Sequence, residues 1–320
     1  MSTPVGSTEG TVERPVWIHL VDPTEAELRD AVPADLHASA FARMLAPPDP
    51  DREARPKLNA HGDHVAGVLV VAVDVPHQDD QPPEPGVYFQ EIHVVVEATR
   101  IVTVCKTPAL GVPFDMAEVQ RVCQRTNSLA GASLFHIVDE VAEKYLELVD
   151  ALNKEIDDLE DVVGIESSEY IREHLSALRH DVLRIRRVLT PTRDAARHVL
   201  DNRVELASVE LFPREVELQF ADAYDKMLRA VDSLDLSRDL IAGVRDYHQA
   251  QVANDQNEVM KRLTAIASML LLPTFIVGLY GQNLHGGPEF AWAQGYWFSW
   301  GLILVTTVLQ VVYFRRKQWI

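Results

Sequence analysis

Cysteine is nearly missing: Cys105 and Cys123 are the two in 320 residues. No disulfide scaffold is possible on that count, and both are expected as reduced, partly buried thiols of a cytosolic protein. Positive charge is also short. Thirty Lys and Arg face 48 Asp and Glu, giving a net charge of −18 at pH 7. Binding nucleic acid needs a basic face, so nucleic acid is not an expected partner. An acidic chain instead attracts cations. The opening MSTPVGSTEGTVERP has no apolar run of the signal-peptide kind, so the large domain is expected to stay unexported. No Walker loop, dinucleotide fingerprint, HExxH pair or Ser-His-Asp spacing stands out. The chain is therefore expected to be no enzyme, to use no ATP and to hold no prosthetic group.

Charge is absent altogether from two stretches. Leu263 to Gly281 is nineteen residues without one, and Tyr296 to Phe314 is a second such run. Each is about the length that crosses a ~30 Å hydrocarbon core as a helix. The loop between them, Leu284 to Gly295, has no Lys or Arg, whereas the tail carries Arg315, Arg316 and Lys317. The positive-inside rule then puts both termini in the cytosol and the loop outside a cell (inner or plasma) membrane. Trp292, Trp297 and Trp300 would form the outer aromatic belt, and Tyr313 and Trp319 the inner one.

Everything upstream has the pattern of a soluble fold. Residues 1–14 are small, polar and Pro/Gly-containing, the composition of a disordered terminus. Val16 to Leu20 reads as a strand, Pro23 to Asp30 and Ala34 to Leu45 as helices. His64 to Val75, Val87 to Glu97 and Arg100 to Cys105 read as further strands. The spacing predicts an α/β layer of at least four strands over 15–107. Ala130 to Val163 keeps apolar residues at helical spacing, from Leu134 through Tyr145 to Leu159. Residues 139–173 hold thirteen Asp and Glu against three Lys and Arg. A second helix opens at Ser167-Ser168-Glu169, runs to about Val199 and is basic, which predicts a helical hairpin. Phe212-Pro213 opens a last helix with no breaker before Pro273. The domains expected are a cytosolic α/β and helical-hairpin domain over 15–212 and a stalk helix over 213–262. A first membrane span over 263–281, an outer loop over 282–295, a second span over 296–314 and a basic tail over 315–320 complete the chain.

One face of the stalk and first span can be read from spacing. Asn257, Met260, Thr264, Ala267, Leu271, Thr274 and Gly278 recur at steps of three and four. Most are small or polar, which suits helix packing in lipid and equally suits the wall of a narrow wet channel. Spacing alone leaves both readings open. Two spans cannot enclose a hole, so conduction requires a ring of copies, with apolar constrictions at Met260, Leu263 or Leu271.

The end of that stretch, Tyr280-Gly281-Gln282-Asn283 after Pro273-Thr274-Phe275-Ile276-Val277-Gly278, resembles the signature of the CorA family of divalent-cation channels, whose first span ends Tyr-Gly-Met-Asn. Asn257-Glu258-Val259-Met260-Lys261, Pro288-Glu289, the tail Val312 to Lys317, Arg55-Pro56-Lys57-Leu58 and Gln90-Glu91-Ile92 extend the resemblance over most of the chain. It implies a funnel-shaped homopentamer with a cytosolic α/β/α domain, a long stalk and a second span around the pore. It implies that Gly281, Gln282 and Asn283 form the selectivity filter, with Asn283 ringing the outer mouth. Asn257, Met260, Leu263, Thr264, Ala267, Leu271, Thr274 and Gly278 match pore-lining positions, Asp246 an acidic ring at the cytosolic end, and Glu289 the loop acid that draws cations in. The resemblance further implies regulation by cytosolic Mg²⁺ bound between subunits, with Asp222 as the stalk ligand and Asp74 as its nearest partner in the α/β domain.

Mg²⁺ binds oxygen and sheds water reluctantly, so a ring of carboxamides can hold the ion through its hydration shell. Gln282 departs from the family's Met, and His285 stands near the same mouth. A zinc-transporting branch of the superfamily also varies there. The expected function is a passive Mg²⁺ channel that also takes Co²⁺ and Ni²⁺, driven by membrane potential and gated by cytosolic Mg²⁺. A Zn²⁺ transporter and a non-conducting, membrane-tethered cation sensor are the alternatives. The expected partners are divalent ions, the lipid bilayer and further copies of the chain.

Overall fold

The computed structural model describes residues 15–48, 55–73, 87–108, 110–126, 128–201, 203–206, 209–282 and 294–320. These divide into two compact units, Met1–Val244 and Arg245–Ile320. The first is built on five strands: β1 (Val16–Val21), β2 (Lys57–His61), β3 (His64–Val73), β4 (Tyr88–Val96) and β5 (Arg100–Cys105). Their order across the sheet is β1-β5-β4-β3-β2. β2 to β5 pair as antiparallel neighbours, while β1 lies parallel to β5 with Val16 opposite Arg100.

Side chains alternate across a strand, and here both faces are covered. Ile92, Val94 and Val96 of β4 and Ile101 and Cys105 of β5 enter the main core. Val95, Val102 and Val104 enter a smaller one, under α1 (Glu25–Ala31) and α2 (Ala38–Leu45), with Leu28, Ala31 and Met44. Burial on both faces explains why these strands read as near-continuous apolar runs. Helices α3 (Met116–Thr126), α4 (Ala130–Asp161) and α5 (Ser168–Leu200) contribute to the main core, which completes three layers. The α4 stripe read from the sequence is buried from Leu134 through Tyr145 to Leu159, and Tyr145 Oη donates to the Val70 carbonyl at 2.8 Å.

Local chemistry sets the ends. Thr24 and Glu27 form a reciprocal capping box on α1, and Ser167 Oγ accepts from Tyr170 N at 3.2 Å at the start of α5. α2 begins later than the Ala34 expected. Leu36 N–H bonds back to the Pro33 carbonyl in a turn, and His37 Nδ1 caps the helix by accepting from Ser39 N–H. β2 is an additional strand. It turns into β3 through Gly62, at φ 60°, with His61 opposite His64. Gly67 is required beside it, because a Cβ there would lie 2.2 Å from the Lys57 carbonyl oxygen. Cys105 and Cys123 are free and buried, and burial pushes the Cys105 thiol up to about 12.

The last long helix, α6 (Arg214–Gly281), is continuous over 68 residues and carries Pro273 inside it. Its first part belongs to the main core through Phe220, Ala223, Met227, Ala230, Leu234, Ile241 and Val244, a three-and-four repeat. By packing, the first unit thus continues to Val244, past the 212/213 boundary drawn from the start of the helix. Ion pairs join α6 to both long neighbours. Arg186 of α5 meets Asp235 at 2.5 Å, and Lys226 meets Asp139 and Glu143 of α4 at 2.8 and 3.1 Å. The second unit consists of the rest of α6 and α7 (Gly295–Arg316).

Candidate functional site

Both helices of the second unit contain a window apolar enough to cross a membrane, and only 11% of one and 6% of the other is buried. A soluble protein buries such helices in its core, so these faces need an apolar surround. Within the unit, Ala265 and Ile276 of α6 are buried, and Ser268 between them accepts a hydrogen bond through its carbonyl from Gln310 Nε2 of α7 at 3.2 Å. That is the α6 face turned to α7.

The stripe read from the sequence lies elsewhere. Asn257, Met260, Thr264, Ala267, Leu271, Thr274 and Gly278 are all exposed, and so is Leu263. At 100° per residue the stripe is centred roughly 120° around the helix from the α7 side. Its polar chemistry is specific. Thr264 Oγ1 donates to the Met260 carbonyl at 2.8 Å and Thr274 Oγ1 to the Leu270 carbonyl at 2.7 Å. A hydroxyl that gives its proton to its own helix presents lone pairs outward. Pro273 has no N–H for the carbonyl one turn earlier, that of Met269, which lies on the α7 side of the helix and not on the stripe. The stripe thus offers oxygen acceptors among small and apolar neighbours, an arrangement that suits a hydrated cation.

Gly281 is the final residue of α6, and Gln282 N–H bonds back to the Leu279 carbonyl at 3.4 Å. Asn283, Glu289 and His285 lie outside the described residues. Asp246 is exposed and paired with its neighbour Arg245 at 3.0 Å, which partly cancels its charge. Asp222, in the first unit, is exposed on α6, while Asp74 lies outside the described residues. Among the described residues no group of three His, Cys, Asp or Glu is arranged to hold a metal ion.

Two polar features went unread in the sequence. Gln310 was legible in principle, as the one carboxamide in the second uncharged run. The other is a buried cluster at β4 and the residue after β5, where Glu91 Oε2 takes Lys106 Nζ at 3.0 Å and His93 Nε2 at 3.1 Å. Burial pushes the Glu91 carboxyl up, but hydrogen bonds from His93 and Lys106 outweigh it and hold the group down at about 2.

The sequence pattern of the family described as CorA-like Mg²⁺ transporter protein matches residues 12–316. The chain belongs to the CorA-like family. That family is one of ion transporters rather than enzymes. The chain is similar to the cobalt/magnesium transport protein CorA of Thermotoga maritima, 30% identical over 187 residues, which is 58% of this chain and 52% of that protein. It therefore spans about half the length of the cobalt/magnesium relatives it matches. It is 24% identical over 320 residues to the zinc transport protein ZntB of Pectobacterium carotovorum, covering 99% of this chain and 92% of that one. Among solved structures, the CorA magnesium transporter of Methanocaldococcus jannaschii matches with a TM-score of 0.73 at 20% identity, over 99% of this chain and 95% of its own. The full-length CmaX protein matches with a TM-score of 0.66 at 21% identity, over 98% and 93%. The CorA-like fold, a layered α/β domain followed by a long helix and two C-terminal apolar helices, thus runs along the whole chain.

Proposed function

We propose that the chain forms a passive path for divalent cations across the cell membrane, as a homopentamer with both termini in the cytosol. The observation that carries this reading is the uncovered stripe from Asn257 to Gly278, which faces away from α7 and offers oxygen acceptors. A ring of five such stripes makes a wet wall, with Met260, Leu263 and Leu271 as its apolar constrictions. Gly281, Gln282 and Asn283 are the filter, Asn283 holding the hydrated ion through its waters. Glu289 draws cations to the outer mouth and Asp246 to the inner one. The membrane potential supplies roughly 5 kcal/mol per 100 mV for a divalent ion, and no ATP is needed. Asp222, with Asp74 as its nearest partner, holds a regulatory Mg²⁺ between neighbouring copies, and its binding favours the closed state.

The transported ion is Mg²⁺, with Co²⁺ and Ni²⁺ also accepted, a reading supported by family membership and the cobalt/magnesium relatives. Zinc is the second reading. It is favoured by the match to zinc transport proteins along almost their whole length and by Gln282 where the CorA signature has Met. Flux into liposomes loaded with a metal dye, run with Mg²⁺, Co²⁺, Ni²⁺ and Zn²⁺, separates the two. Asn283→Ala is expected to lower Mg²⁺ flux tenfold or more at unchanged protein incorporation. Wild-type flux in that variant removes the filter assignment, and no flux of any of the four ions leaves a non-conducting sensor.

A further inference from the structure

We propose that the first unit carries a binding site for a phosphate-type dianion, in the cavity between α2 and the β2–β3 hairpin. The cavity holds about 240 Å³. Its polar side is lined by Arg43, Lys57, His37, His61, Ser39 and Asn59, its apolar side by Leu36, Ala40 and Met44, and His93 lines it from β4. No described carboxylate lines it, in a chain where acids outnumber bases 48 to 30. A cavity of the opposite sign to the whole molecule points to an anionic occupant.

Among the described residues neither Arg43 nor Lys57 makes an ion pair. Arg43 Nε bonds the Ser39 carbonyl of its own helix at 3.2 Å, which leaves its terminal amino groups. Lys57 is held below the usual lysine range, first by burial and then by the Arg43 charge beside it. Two described acids that contact the histidines of this region have other partners. Glu91 already accepts from Lys106 and His93, and Asp35 lies 3.8 Å from His64. His37 Nδ1 accepts from Ser39 N–H, so in the neutral ring the proton sits on Nε2 as a donor. The Ser39 hydroxyl proton goes to His37 Nδ1 at 2.8 Å, and two cations with Asn and His donors match a tetrahedral dianion, where a monocarboxylate would neutralise only one of them. The space exceeds a lone phosphate, and its apolar side suits the body of a small organic phosphate.

The site is independent of the transport reading, so its test reads binding and not flux. The full chain in mild detergent, free of Mg²⁺, is titrated calorimetrically with inorganic phosphate, phenyl phosphate and acetate. Saturable binding of one phosphate per chain is expected, with acetate at least tenfold weaker. Tighter binding of phenyl phosphate marks an organic phosphate as the occupant, and equal binding marks the free ion. Arg43→Gln and Lys57→Gln should each weaken phosphate about tenfold or more. Arg43→Lys, which keeps the charge, should retain most of the affinity. The ligand-free melting temperature of both glutamine variants should hold or rise, because each removes a repulsion. Absence of saturable phosphate binding, acetate binding of equal strength, or wild-type affinity in both glutamine variants overturns the proposal.

Discussion

Glu91 is one carboxylate shared by two bases, with its side chain only 15% exposed. His93 cannot supply the counter-charge at neutral pH. Burial lowers its pKa from an ordinary 6.5, against the opposing pull of Glu91. Lys106 therefore carries the pair. Glu91 titrates near 4.5 when unfolded and at about 2 when folded. Its contribution is thus present above pH 4.5 and is lost as pH falls toward 2. Removing one partner of a buried pair strands the other, at a cost of about 3–5 kcal/mol. Lys106→Met should lower the apparent melting temperature of the solubilised chain accordingly, and Glu91→Gln added to it should recover most of the loss. A single variant that melts with the wild type would show that water already reaches Glu91.

α4 enters the core against the backbone of another segment. A Cβ on Gly131 would lie 1.9 Å from the Leu211 carbonyl oxygen, which is backbone and cannot swing away. Gly131→Ala gains about 1 kcal/mol of helix propensity, yet overpacking of this kind costs about 1–3 kcal/mol. Contact with backbone puts it at the upper end, so net destabilisation of about 2 kcal/mol is expected, read as a lower melting temperature. A variant more stable than wild type would mean that the segment before α6 moves freely. The long helices were legible because 3.6-residue periodicity repeats over many turns, as from Leu134 to Leu159. β2 was not, since Leu58 and Ala60 are its only apolar residues between Lys57 and His61. The basic cavity was hidden for a different reason: Arg43, Lys57 and His93 come from three elements, and only the fold brings them together. The stripe of α6 was legible as a face, but its exposure required knowing where α7 packs.

Assembly and regulation belong to the whole molecule. If Asp222 holds Mg²⁺ between copies, millimolar Mg²⁺ should slow proteolysis of the first unit in the wild type, and Asp222→Ala should lose most of that protection. Full protection in the variant removes Asp222 from the sensor. The same purified material should run as five copies in mild detergent, and a monomer would sink the pore reading. A consequence in time follows from the one parallel pairing of the sheet. Trp17 of β1 donates its indole N–H to Thr103 of β5, 86 residues further along the chain. At about 5–20 residues per second, a ribosome needs roughly 4–17 seconds to deliver that partner. Of the five strands of the sheet, β1 is made before the others yet is among the last to be paired, and for that interval Trp17, Ile18 and Leu20 wait without their β5 partner.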